Sequence, residues 1–323
     1  MQPKQFKTDL GGKELKVEIG QLAEQANGAA LVTYGGTTVL ATAVMSKEPR
    51  EVGYLPLLID YEEKLYAAGK IKSGRFMKRE GRATDEAIST ARMIDRSLRP
   101  GFNQRIRNDI QIILTVLSFD KENDADILAF LAASIALSVS DIPWQGPIAA
   151  LRIGRIENKW LLNPTYEERE KSDLDLIVAG REETINMLEG SAKETPEEIL
   201  LEAIEFSQKR LKEITDFQKE IIEAINPKKA ALPLKEPDLE LVKKAKDFLA
   251  GRLEKVIYQT QKTEREAGFS LLKKELMKIL AAGDIEKQKA LANIIDEEID
   301  HLVHQNILNP PAGKEKRPDG RKL

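Results

Sequence analysis

Between Lys70 and Arg107 the sequence places eleven basic residues against four acidic ones, Glu80, Asp85, Glu86 and Asp95. That surplus of seven positive charges sits in a chain whose formal net charge is −3. Such a segment selects an anion, and its neighbours narrow the choice. Gly69, Gly74 and Gly81 read as an exposed loop, with apolar Phe76 and Met77 set beside Lys78, Arg79 and Arg82. An aromatic ring among cations on a loop suits single-stranded nucleic acid: stacking contributes roughly 1–3 kcal/mol per base, and the cations meet the backbone. Behind the loop, Arg92, Arg96 and Arg99 recur at intervals of four and three, one basic stripe on a helix. A solvated helix face with a structural loop accounts for the same residues equally well.

Other chemistries have less to draw on. Cysteine is absent, which removes disulfides, thiolate nucleophiles and Cys-ligated zinc and agrees with a cytoplasmic setting. The only histidines, His301 and His304, fall near one face of a late helix with no cysteine to complete a site, so surface positions are expected rather than a metal pair. The pairs Glu62-Glu63, Glu167-Glu168 and Glu297-Glu298 are adjacent, so their carboxylates point apart and read as solvated faces rather than acid–base pairs. No apolar run approaches the roughly 18–20 residues of a membrane span, and the first residues lack the apolar core of a signal peptide.

The elements that must position the basic segment follow from periodicity. With 41% hydrophobic and 32% charged residues, 323 residues suffice for two domains. Leu15–Ile19 alternates; Ala30–Tyr34 and Thr37–Val44 flank Gly35-Gly36 as a hairpin; Leu55–Tyr61 is a further strand. Thr84 opens a helix carrying Ala87, Ile88, Ala91, Ile94 and Leu98, stopped by Arg99-Pro100-Gly101. Asp109–Ser118 is almost continuously apolar, predicting a strand covered on both faces. Asp124–Val139 is an apolar helix; strands follow at 149–155, 159–162 and 174–179. A charged helix begins with a capping box on Thr195 and Glu198 and ends near Ile225. Residues 226–237 read as a proline-punctuated linker. Helices to Leu249, over Glu254–Leu280 and over Ile285–Val303 then form an all-helical domain spanning 238–306, and 307–323 read as a polar linker. The class is α+β.

Three stretches carry a resemblance: Tyr-Ala-Ala-Gly-Lys-Ile at 66–71, Phe-Met-Lys-Arg-Glu-Gly-Arg at 76–82, and Ala-Arg-Met-Ile-Asp-Arg-Ser-Leu-Arg-Pro at 91–100. Together they resemble the first ribonuclease-PH-like domain of the bacterial polynucleotide phosphorylase (polyribonucleotide nucleotidyltransferase) family, which shows Phe-Phe-(Arg/Lys)-Arg where this chain has 76–79. Gln261–Arg265 is similar to the opening of a helix in that family's helical domain. Arg317-Pro318-Asp319-Gly320-Arg321 is similar to the start of its second ribonuclease-PH-like domain.

The resemblance implies a ribonuclease-PH-like domain over 1–225 and a chain that leads, after 307–323, into a second such domain. It implies 3′→5′ phosphorolysis of single-stranded RNA by inorganic phosphate, releasing nucleoside diphosphates and reversible to polymerisation, in a homotrimer assisted by Mg²⁺ or Mn²⁺ at the second domain. Phe76, Met77, Lys78, Arg79 and Arg82 would line a channel constriction, supported by Arg92, Arg96 and Arg99. Catalysis and metal binding are not expected in this stretch. The family's metal motif Asp-x5-Asp-x-Lys matches here only at Asp175, with Arg169 at the first position and Ile177 at the last. The family's phosphate-holding serine run falls on Asp124-Ala125-Asp126, whose carboxylates repel phosphate. Two rival readings stay open: an assembly scaffold without direct RNA contact, and a phosphorolytic enzyme in its own right.

Overall fold

The computed structural model describes residues 3–71, 81–181, 184–232, 234, 238–310 and 317–322. They fall into two compact units, 1–234 and 235–323.

Alternation builds the first sheet. Strands β1 (Lys4–Leu10), β2 (Lys13–Ile19), β3 (Gly28–Tyr34), β4 (Thr37–Pro49), β5 (Leu57–Glu63) and β6 (Asn108–Ser118) lie in the order β1-β2-β3-β4-β6-β5. Every pairing is antiparallel except β5 with β6. Gly35, at φ 60°, turns the β3–β4 hairpin where Tyr34 pairs with Thr37. Helix α1 (Asp85–Leu98) is the crossover that parallel pairing of β5 and β6 demands. The Thr84 hydroxyl accepts from Ala87 N–H (3.1 Å) to start it, and Trp144 Nε1 donates to the Leu98 carbonyl (3.0 Å) at its end.

Two expectations for this sheet change. β6 alternates between buried and half-covered residues instead of being buried on both faces, because helices pack on one side only: Ile110, Ile112, Leu114 and Val116 are buried, while Gln111 is exposed. β5 begins at Leu57 rather than Leu55, since Leu57 N–H turns back to the Leu55 carbonyl (3.0 Å) across Pro56.

Helix α2 (Ala125–Val139) is apolar all round because it is covered all round, by β3 and β4 of the first sheet and by the second sheet. At Gly28 it comes so close that a Cβ would lie 2.2 Å from the Ala136 carbonyl. The second sheet is antiparallel, in the order β10-β9-β7-β8, from β7 (Ala149–Ile156), β8 (Lys159–Leu162), β9 (Leu174–Arg181) and β10 (Thr184–Ala192). Helix α4 (Glu197–Ile225) packs on β7 and β9. Ser134 Oγ donates to Gln218 Oε1 (2.7 Å) and accepts from Ile148 N–H (3.0 Å), while Gln218 Nε2 donates to the Ile148 carbonyl (3.1 Å). That closed set ties α2, α4 and the residue that leads into β7 together. The capping box expected at the head of α4 does not form: Pro196 is the N-cap, and the Thr195 hydroxyl donates instead to the Asp173 carbonyl (3.2 Å). Helix α3 (Tyr166–Lys171) and strands β1 and β10 were not legible, being short or largely exposed.

Part of the expected linker is fastened to the first unit. Lys229 Nζ donates to the carbonyls of Leu137, Ser138 and Ser140 at 2.9, 3.0 and 2.8 Å, satisfying the C-terminal end of α2, and Ala230 N–H meets the Asp141 carbonyl (2.7 Å). Burial lowers the Lys229 pKa to about 8.

The second unit is helical: α5 (Leu239–Leu249), α6 (Arg252–Ile257), α7 (Lys262–Leu280) and α8 (Ile285–Leu308), around Leu249, Leu253, Leu272, Leu276, Leu291 and Ile294. The single helix expected over 254–280 is two, broken at Tyr258–Gln261, where Tyr258 N–H closes back on Glu254 and Arg265 Nη1 meets the Gln259 carbonyl (2.9 Å). α8 continues to Leu308, past Val303. His304 is exposed on it, bonded through Nδ1 to the Asp300 carbonyl (2.8 Å).

Asp120 clasps the β3–β4 turn to the loop before α2. It accepts from the N–H groups of Gly36, Glu122 and Asn123 (2.8, 2.9 and 2.8 Å) and from the Thr37 hydroxyl (3.0 Å). Burial alone would raise its pKa, but the hydrogen bonds from Asn123, Glu122 and Gly36 outweigh it and hold the carboxyl well below the usual 3.8. A depressed folded pKa gives stability that is present above the unfolded value and lost as the pH falls below it. Asp120→Ala should cost about 1–3 kcal/mol at neutral pH, by leaving donors unmet, and urea melts should show this deficit shrinking as the pH drops below 3.8.

Candidate nucleic-acid interface and the closed carboxylate cluster

The start of α2 faces the second sheet through five charged side chains. Asp124 and Asp126 come from the N-cap and first turn of α2, Arg152 from β7, Arg169 from α3 and Asp175 from β9. Arg152 Nη1 reaches both Asp175 oxygens (2.7 and 2.9 Å), and its Nη2 pairs with Asp126 (2.5 Å) and Asp124 (3.2 Å). Arg169 pairs with Asp175 (3.0 Å) and Asp124 (2.5 Å), its guanidinium 5.4 Å from the Tyr166 ring. Tyr166 donates its hydroxyl to Asp124 (3.0 Å). The Asp124 side chain is thus spent away from the helix, which explains an N-cap aspartate that caps no backbone N–H.

The cluster is internal. Arg152 is 7% exposed in its side chain and Asp126 13%. Burial, with Asp124 beside it, raises the Asp126 pKa even though Arg152 opposes the shift. Every carboxylate here already faces a guanidinium, and two fixed cations stand where a divalent ion would have to enter. Hard cations need several free oxygens, so these residues do not fit Mg²⁺ or Mn²⁺. An incoming phosphate meets Asp124 and Asp126 at the end of α2 that would otherwise attract it.

The basic residues fare differently from one another. Phe76, Met77, Lys78 and Arg79 lie outside the described residues. Arg82 and Arg92 are exposed and make no ion pair among the described residues. Arg96 pairs with Glu189 on β10. Arg99 is committed within the fold: it forks onto Asp95 (3.0 and 2.7 Å) and donates to the carbonyls of Leu55 (3.2 Å) and Leu57 (3.1 Å). The run from Lys70 to Arg107 is also not one surface. Helix α1 runs back along β5, so Arg99 and Arg107 lie by the strand's start, where Arg107 Nη2 meets the Gly53 carbonyl (3.4 Å). The head of α1 lies by the strand's end, where Glu86 repels Glu63. Fourteen helical residues separate the two by about 21 Å.

Sequence reasoning named Arg169 and Asp175 as positions in a broken motif but missed Arg152. Arg152 pairs with Ile177 across β7 and β9, which sets its side chain on the same face as Asp175, two residues away. Nothing local to Arg152 signals that register.

Residues 11–143 match the family profile described as 3′ exoribonuclease family, domain 1, and residues 146–210 match that of domain 2 of the same family. The chain belongs to the 3′ exoribonuclease family. The two profiles divide the first unit, the boundary falling between α2 and β7. Curated relatives named polyribonucleotide nucleotidyltransferase include that of Listeria welshimeri, 42% identical over 318 residues, that of Bacillus licheniformis, 43% identical over 318, and that of Staphylococcus saprophyticus, 44% identical over 324. These alignments cover 98%, 98% and 99% of this chain but 44%, 44% and 46% of the relatives, so the chain spans less than half of their length. In fold, the chain is similar to the crystal structure of rice (Oryza sativa) Rrp46, with a TM-score of 0.52 at 15% identity, over 68% of this chain and 94% of that one. The α+β, ribonuclease-PH-like expectation is borne out by these family matches and by the paired sheets.

Proposed function

We propose that this chain is the RNA-holding part of a polyribonucleotide nucleotidyltransferase and does no phosphorolysis itself. The whole protein would degrade single-stranded RNA from its 3′ end with inorganic phosphate, releasing nucleoside diphosphates, and would run in reverse as a polymerase. Mg²⁺ or Mn²⁺ would be held by the second ribonuclease-PH-like domain of the longer protein, in a cytoplasmic homotrimer. The RNA grip would be Phe76, Met77, Lys78, Arg79 and Arg82, with Arg92 on the flank. Arg96 and Arg99 would serve the fold through Glu189 and Asp95. The domain division would follow 1–225, 226–237 and 238–306, with the first segment of the linker docked.

The observation that carries this reading is the closed cluster of Asp124, Asp126 and Asp175 around Arg152 and Arg169. Phosphoryl transfer depends on positive charge aimed at the reacting phosphorus and its oxygens. Here the positive charge is already consumed by fixed carboxylates, and no oxygen is left for a metal. The pure chain, incubated with single-stranded RNA, phosphate and Mg²⁺, should release no nucleoside diphosphate above background. Robust release would overturn the inactive reading and put the independent-enzyme reading first.

A further inference from the structure

Directly after β5 the chain forms a one-turn 3-10 helix, Leu65–Ala68, that exposes apolar side chains rather than burying them. Tyr66 is 57% exposed, Leu65 47% and Ile71 94%. The Tyr66 hydroxyl makes no hydrogen bond among the described residues. Yet the backbone beneath is fastened. Ala67 N–H bonds to the Lys64 carbonyl (2.9 Å), Gly69 N–H to Tyr66 (3.0 Å), Lys70 N–H to Leu65 (2.9 Å), and Phe119 N–H, from the end of β6, to Ala67 (3.1 Å). Gly69, at φ 67°, turns the chain out of the helix at the cost of no Cβ clash.

A ring held out on a fixed backbone loses little freedom on binding, since only two side-chain torsions remain to be ordered. Both ends of the loop carry cations, Lys70 on one side and Arg82 on the other, and both are exposed. The neighbourhood is not uniformly basic. Glu63 and Glu86 stand at the same end of β5, and burial together with Glu86 and Asp124 holds the Glu63 carboxyl above its ordinary pKa. A phosphate gains nothing beside those carboxylates. A flat, neutral base on an aromatic face is indifferent to them.

We propose that Tyr66 is a base-stacking subsite for single-stranded RNA, a fixed platform that precedes the basic segment in the chain. The subsite rests on the RNA-holding function proposed above and adds to it a contact made with the base rather than the backbone. Stacking is tolerant of sequence, so the subsite reads the presence of a base and not its identity.

The test uses the full chain and fluorescein-labelled RNA oligonucleotides, with affinity measured against KCl concentration. Tyr66→Ala should weaken binding about tenfold, within the range that stacking supplies, and leave the slope of log affinity against log salt unchanged. Tyr66→Phe should bind like the native chain, because stacking uses the ring and not the hydroxyl. An oligonucleotide with abasic sites throughout should bind the native and Tyr66→Ala chains equally. An unchanged affinity for Tyr66→Ala, an equal loss on the abasic strand, or a shallower slope each overturns the stacking subsite while leaving the RNA-holding function standing. Loss of self-association with unchanged RNA affinity would place Tyr66 between chains and also overturn it. Failure of the native chain to bind any oligonucleotide overturns the RNA-holding function itself.

Discussion

Arg152→Ala is expected to destabilise the first unit by about 3–5 kcal/mol, because it strips the cation from carboxylates that are largely buried. Among the described residues, Asp126 loses its only cationic partner, Asp175 loses a bidentate one, and Asp124 keeps Arg169 as its one remaining cation. Truncation leaves both unpaired charge and empty volume, so Arg152→Met, which fills the space, should recover only the packing part. The pH dependence separates charge from cavity. Burial and Asp124 already raise the Asp126 pKa, and removing Arg152 raises it further above its unfolded value of 3.8. Between those values the folded variant binds more protons than the unfolded chain, so its stability rises as the pH falls. Urea denaturation at pH 7.5 and 5.5 should therefore show a smaller deficit for Arg152→Ala at the lower pH. An identical deficit at both would mean that packing, and not the unpaired carboxylate, is what the arginine supplies.

Lys78→Ala combined with Arg79→Ala should weaken RNA binding by about tenfold or more at low salt and flatten the log–log salt slope by about 1.4. Each lost phosphate contact on a single strand removes roughly 0.7 from that slope. Arg99→Ala is the informative control. Its guanidinium is engaged by Asp95 and by the Leu55 and Leu57 carbonyls, so its loss should lower the melting temperature and leave the slope alone. A slope unchanged in the loop variant would favour the scaffold role for the loop. A slope flattened by Arg99→Ala would mean that this arginine leaves Asp95 to meet RNA.

The contrast between the arginines of the described part of this segment shows what a basic count conceals. Composition treats Arg82, Arg92, Arg96 and Arg99 alike. The fold hands Arg96 to Glu189, ninety-three residues on, and wraps Arg99 over the start of β5. Only the long-range chain path, with α1 lying back along β5, divides one run of positive charge between two ends of a strand.

By itself the sequence determined the local elements: the Gly35-Gly36 hairpin, Thr84 as a cap, the buried helix α2 and the helical second unit. Each depends on residues a few positions apart, where periodicity and capping chemistry act directly. It also placed the broken motif at Arg169 and Asp175. What the tertiary structure decided was the fate of the charges. Arg152, Asp124, Asp126 and Asp175 meet because β7 and β9 pair in one register and the head of α2 abuts that sheet. Asp120 holds a turn more than eighty residues away. Ion pairs and hydrogen bonds act over a few ångströms in space, and a linear sequence does not specify which distant residues come within them.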